Sequence, residues 1–132
     1  MIGYATLGTN DPARAKTFWD ALFAEIGGKR VMELPDAREM VFYGVARDKP
    51  MLSITRPYDG SRANPGNGNM VALSLDSRAD VDRVHAKAIE LGATDEGAPG
   101  LRGPENLGYY FAYFRDPDGN KIAVFKIGAA SQ

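Results

Sequence analysis

Apolar positions along this chain follow one order of periods, and that order is written twice. Ile2-Gly3-Tyr4-Ala5-Thr6-Leu7-Gly8 reads as a short strand. Asn10-Asp11-Pro12 then opens a helix, with an Asx cap and a proline in the first turn, where no N–H is needed. Ala15, Phe18, Trp19, Leu22, Phe23 and Ile26 follow at the spacing of one helical face. This predicts an amphipathic helix over 12–25, ended by Gly27-Gly28, with Phe18 and Trp19 as core. Strands are predicted over 29–34, 39–45 and 51–56, divided by Pro35-Asp36 and Asp48-Lys49-Pro50.

Residues 57–69 are rich in Gly, Pro and Asn and read as a linker, after which the pattern restarts. Met70 to Leu75 is a strand. Ser77 and Asp80 resemble a capping box, with Asp in the place of Glu. Val81, Val84, His85, Ala88 and Ile89 form a second helical stripe closed by Gly92. Strands follow at about 93–97, 109–115 and 120–126. The last two are joined by Asp116-Pro117-Asp118-Gly119, in which proline presets φ and glycine accepts a positive one. The order is βαβββ twice, offset by roughly 66 residues, so that Tyr4 matches Met70, Asp11 matches Ser77 and Trp19 matches His85. A half of about 60 residues is marginal alone. The expectation is one α+β domain of two modules, about 1–57 and 69–127, that pack together.

Composition narrows the function classes. A net charge of −1 makes no electrostatic case for nucleic acid or an anionic membrane. No apolar run reaches the roughly 18 residues a membrane span needs. Met1-Ile2-Gly3-Tyr4 lacks the basic start of a signal peptide, so a cytoplasmic location is expected. With no Cys there is no disulfide, thiolate nucleophile or cysteine metal site, and a single His excludes any site that takes two histidines from one chain.

A duplicated βαβββ chain with Asp116-Pro117-Asp118-Gly119-Asn120 before its last strand resembles the vicinal oxygen chelate superfamily: glyoxalase I, bleomycin-resistance proteins and extradiol dioxygenases. Gly66-Asn67-Gly68-Asn69, the stretch Glu96 to Arg102, and Gly108-Tyr109-Tyr110 carry the same resemblance. It looks closest to small bacterial glyoxalase-like proteins. The resemblance implies curved mixed sheets around a cavity, with helices outside. Metal-using members place one ligand, typically His, Gln or Glu, on the first and on the fourth strand of each module. Here those positions are Tyr4, Ser53, Met70 and Ala123. A phenol and a serine hydroxyl are poor ligands, a thioether is too soft for an oxygen-rich site, and a methyl has no donor. The expectation is therefore no metal and no cofactor. That argues against glyoxalase I-type isomerisation and extradiol cleavage, both of which need a metal.

Other candidates keep two readings each. His85 is either a general base or a partly buried ring on a helix lying away from the cavity. Tyr109, Phe111 and Tyr113 share one strand face and Tyr110, Ala112 and Phe114 the other; either set could line the cavity. Arg102, in the loop Gly100 to Leu107, is placed to bind a ligand carboxylate or phosphate, or to pair with Glu105 on the surface. Arg56 and Tyr58 are ligand contacts or plain linker. Two functions stay open. One is a binder of a small organic molecule in a metal-free cavity, lined in part by Tyr4, Ser53, Met70, Ala123, Arg102 and Tyr109. The other is an enzyme: a metal-dependent lyase, isomerase or dioxygenase with a non-standard site, or a metal-free one using Tyr4 as acid or base. A homodimer is expected in either case, because the sheets leave edges that need cover.

Overall fold

A computed structural model describes residues 1–129. Module one comprises β1 (Tyr4–Gly8), α1 (Pro12–Ala24), β2 (Lys29–Glu33), β3 (Val41–Gly44) and β4 (Met51–Thr55). Module two comprises β5 (Val71–Ser74), α2 (Arg78–Glu90), β6 (Thr94–Leu101), β7 (Tyr109–Arg115) and β8 (Lys121–Ile127), with a 3-10 turn at Glu105–Leu107. The strands form two four-stranded mixed sheets, ordered β1-β4-β3-β2 and β5-β8-β7-β6. In each, the first strand runs parallel to the last one in sequence, and the remaining pairs are antiparallel. The fold is α+β, and the sheets do not close into a barrel. Among the described residues no helix is long and apolar enough to cross a membrane.

Both helices begin where their caps predict. The Asp11 carboxylate accepts the N–H of Arg14 at 3.1 Å, and the Ser77 hydroxyl accepts that of Asp80 at 3.0 Å. β6 departs from expectation. It runs on to Leu101, so the first two residues of the predicted loop from Gly100 are strand. The segment Thr94 to Gly100 has little hydrophobic alternation, and two register shifts against β7 break the period of two that a sequence reading needs.

The modules share one core. Tyr43 stacks on Phe23 at 5.2 Å, Phe23 packs on Trp19, Trp19 meets Phe18 edge-on, and Phe18 reaches Phe114 of the second sheet at 6.3 Å. α1 thus links the inner faces of both sheets. A polar clamp joins the modules at the β1–α1 junction. The Asp118 carboxylate accepts the Asn10 N–H at 3.0 Å and a hydrogen bond from the Arg14 guanidinium at 3.0 Å. The Asn120 amide donates to the Gly8 carbonyl at 3.0 Å. The linker is tied to the same place, since Asn10 exchanges two hydrogen bonds with the backbone of Ala63.

Candidate functional site

Alternation along the strands sorts side chains onto an inner face, against the helices, and an open face pointing away from the core. In the first sheet Ala5, Leu7, Val41, Tyr43, Leu52 and Ile54 are inner. Thr6 pairs with Ser53, and Ser53 with Phe42, so these residues and Tyr4 belong to the open face. A slip of one residue would have put Leu52 or Ile54 there instead. Although Ser53 is on the open face, it is fully buried. The reason lies in the strand order. β1 and β3 flank β4, and Tyr4 on β1 meets Phe42 on β3 edge-to-face at 5.0 Å. The two rings therefore close over β4 and Ser53 beneath it. Among the described residues the Ser53 hydroxyl has no hydrogen-bond partner.

In the second sheet Ile122, Val124, Ala112 and Phe114 are inner. Tyr113 pairs with Ala123, and Ala123 with Ala72, on the open face. Of the two sets left open on β7, Tyr109, Phe111 and Tyr113 face outward, while Ala112 and Phe114 pack beneath α2. Ala123 is fully buried among its neighbours. Phe125, Phe111 and Tyr113 form a row with ring centroids 4.8 and 5.9 Å apart and planes within 18°. The Arg102 guanidinium lies 5.5 Å from the centre of Tyr113 and the Lys121 ammonium 5.6 Å. Arg102 also donates to the carbonyls of Gly100 at 2.9 Å and Ala98 at 2.8 Å. The pairing with Glu105 is not formed; the guanidinium folds back onto β6 and Tyr113 instead.

The six positions named from the sequence thus fall on separate surfaces. Tyr4 and Ser53 lie on the first sheet; Ala123, Arg102 and Tyr109 lie on the second. Met70 is exposed one residue before β5 and lines an apolar cleft of about 830 Å³ with Ile2, Phe23, Ile26 and Val45. Arg56 and Tyr58 line a polar cleft of about 650 Å³ beside Thr6 and Thr55. Arg38, which sequence reasoning passed over, joins them; its guanidinium lies 5.4 Å from the Tyr58 ring and pairs with Asp36 at 2.8 Å. Lys121 and Phe125 were also passed over. Period-two alternation on β8 would have grouped Lys121 and Phe125 with Ala123.

His85 is buried on the inner side, with Nε2 3.1 Å from the Asp95 carboxylate. The Gly97 N–H and then His85 hold that carboxyl below its ordinary range. The arrangement ties α2 to the first bulge of β6.

The resemblance implies a divalent metal at these positions, and the donors present here do not fit one. A phenol, a hydroxyl buried beneath two rings, a thioether on a different cleft and a buried methyl offer no set of hard ligands converging on one point. Among the described residues no three His, Cys, Asp or Glu side chains gather as a metal site.

Two open sheets of β1-β4-β3-β2 order, tied by a common core and an Asp-Pro-Asp-Gly clamp, define a tandem βαβββ protein of the glyoxalase type. Residues 1–124 match the Glyoxalase/Bleomycin resistance protein/Dioxygenase superfamily, and the chain belongs to that family. It is similar to the crystal structure of a glyoxalase/bleomycin resistance protein from Albidiferax ferrireducens T118, with 33% identity, a TM-score of 0.81, and 96% of this chain and 98% of that one covered. It is also similar to a lactoylglutathione lyase from Agrobacterium tumefaciens, with 27% identity, a TM-score of 0.67, and coverage of 96% and 92%. A family enzyme from Burkholderia phytofirmans PsJN, at 18% identity and a TM-score of 0.71 with 96% and 98% covered, shares the fold. A search of curated proteins found no match.

Proposed function

We propose that the chain binds a small organic molecule against the open faces of its sheets, takes no metal there, and works as a cytoplasmic homodimer. One observation carries this reading: the four positions where the family sets its ligands hold Tyr4, Ser53, Met70 and Ala123. Without those donors, the open faces offer aromatic and small apolar side chains with a few polar groups, a lining suited to an organic ligand. Dimerisation is supported by the edges. Among the described residues β1 and β5 each pair on one side only, and the apolar cleft holding Met70 adjoins them.

Elemental analysis of purified protein, a thermal-shift screen of small molecules and a methylglyoxal–glutathione assay test the reading together. The expected result is no stoichiometric metal, a raised Tm with at least one compound, and no turnover. Stoichiometric Ni, Zn, Mn or Fe with turnover would replace it with the second reading, a metal-dependent lyase with a non-standard site. The likeness to the Agrobacterium lactoylglutathione lyase favours that alternative.

A further inference from the structure

Charge is unevenly distributed on the second sheet. Its four strands hold only two acids, Asp95 and Glu96. Asp95 is turned inward to His85, and Glu96 is taken up by Arg115 at 2.6 Å. The open face also carries Lys121 and, at the end of β6, Arg102. Among the described residues neither makes an ion pair, whereas Arg14, Arg30, Arg38, Arg56, Arg83 and Arg115 all do. The face is thus cationic on a chain whose net charge is −1.

The position of Arg102 is built rather than incidental. Two carbonyls hold its guanidinium, and two glycines make room for it. A Cβ at Gly97 would lie 3.0 Å from the Tyr113 ring and 3.3 Å from the guanidinium, and one at Gly100 would lie 3.2 Å from it. Beside this cationic end runs the row Tyr113, Phe111, Phe125. Two rings 4.8 Å apart and within 8° of parallel cannot lie side by side in one plane, so Phe111 and Phe125 stand stacked and turn their edges outward. Ring edges carry the positive part of the aromatic quadrupole and favour the face of another ring. On β5 and β8 the neighbouring positions are small: Ala72, Ser74 and Ala123.

We propose that the open face of the second sheet recognises a planar aromatic carboxylate. Its ring lies on Ala72 against the edges of Phe111 and Phe125, and its carboxylate meets Lys121 and Arg102 at the Tyr113 end of the row. This inference rests on the small-molecule reading above and names the class of ligand. Lys121 supplies a point charge, and the fixed guanidinium supplies directional donors. A neutral ring lacks partners for both cations. A saturated carboxylate lacks the flat π face.

The test is an amide NMR titration of the whole chain with 2-naphthoate, 2-naphthylmethanol and cyclohexanecarboxylate. Naphthoate is expected to shift amides of β7 and β8 and to bind about tenfold or more tightly than either control, as a charge-assisted contact of more than ~1.4 kcal/mol implies. Lys121→Gln and Arg102→Gln are each expected to weaken naphthoate about tenfold or more and to leave the alcohol unchanged. Arg102→Gln also removes two bonds to β6, so Lys121→Gln, which disturbs no backbone partner, decides the matter. Equal binding of naphthoate and the alcohol, or naphthoate binding unchanged by Lys121→Gln, overturns the ligand class while leaving a small-molecule site in place. If none of the three compounds shifts either open face, this proposal falls; the thermal-shift screen judges the broader reading separately.

Discussion

At the scale of single residues, two side chains give measurable consequences. Ser53 buries a hydroxyl that finds no partner among the described residues, and such a group costs about 1–3 kcal/mol where it stays unsatisfied. Ser53→Ala removes that group and leaves the Tyr4–Phe42 roof in place, so thermal unfolding should show a Tm raised by a few degrees, corresponding to about 1 kcal/mol. A lowered Tm would mean that the hydroxyl has a partner. Asp20 is the second case. It accepts hydrogen bonds from Arg30 and, at 2.8 Å, from the buried Tyr43 hydroxyl. The Arg30 contact, foremost, and the Tyr43 bond hold its carboxyl below the ordinary value of 3.8, against the opposing pull of burial. Because the folded pKa is the lower one, the stabilisation is complete above pH 3.8 and disappears as pH falls through the folded value. Asp20→Asn should therefore lower stability near neutral pH and converge with wild type in acid, as read from denaturant midpoints across pH. A variant whose deficit persists unchanged in strong acid would refute the linkage.

At the scale of elements, the Asp-Pro-Asp-Gly turn does two jobs. Locally, Asp116 accepts the N–H groups of Asp118 and Asn120 and closes the hairpin between β7 and β8. Burial pushes the Asp116 carboxyl up, opposite in sign to Asp20. Over a long range, Asp118 and Asn120 reach into the first module. Asp118 is nearly buried and satisfies a backbone N–H as well as Arg14, whose own side chain is half exposed. Removing the carboxylate orphans that N–H; removing the guanidinium loses only a solvent-screened pair. Asp118→Ala should cost about 1–3 kcal/mol and Arg14→Ala at most about 1, with equilibrium unfolding as the measurement. Equal losses would mean that the ion pair, not the backbone bond, carries the clamp. The turn was legible in the sequence because proline and glycine dictate φ within four residues. Its grip on Asn10 and Gly8 was not, because those partners lie more than a hundred residues away.

At the scale of the whole molecule, the two open faces point away from one shared core, and among the described residues the outer edges of β1 and β5 stay unpaired. The homodimer proposed above predicts a mass twice that of the chain by light scattering. Val45, exposed on the apolar cleft between the modules, gives a test that leaves the core alone. Val45→Asp is expected to shift the population toward monomer without changing Tm at the lowest concentrations. A wild-type protein that stays monomeric at high concentration would remove the dimer from the proposal.

Sequence alone determined the two βαβββ modules, both helix caps and the last turn, while its family resemblance implied poor metal donors at Tyr4, Ser53, Met70 and Ala123. These depend on local periods, on the backbone freedom of single residues and on side-chain chemistry, all of which short windows contain. Even the register of Ser53 needed the structure, since one residue of slip exchanges the two faces of a strand. Tertiary structure alone decided which aromatic set of β7 faces outward, that Tyr4 and Phe42 roof Ser53, and that Arg102 folds onto β6 and Tyr113 rather than Glu105. Each of those depends on what lies across a ladder or on the far side of a sheet. Distant segments meet there to bury a common core, and no period along the chain records which of them will be neighbours.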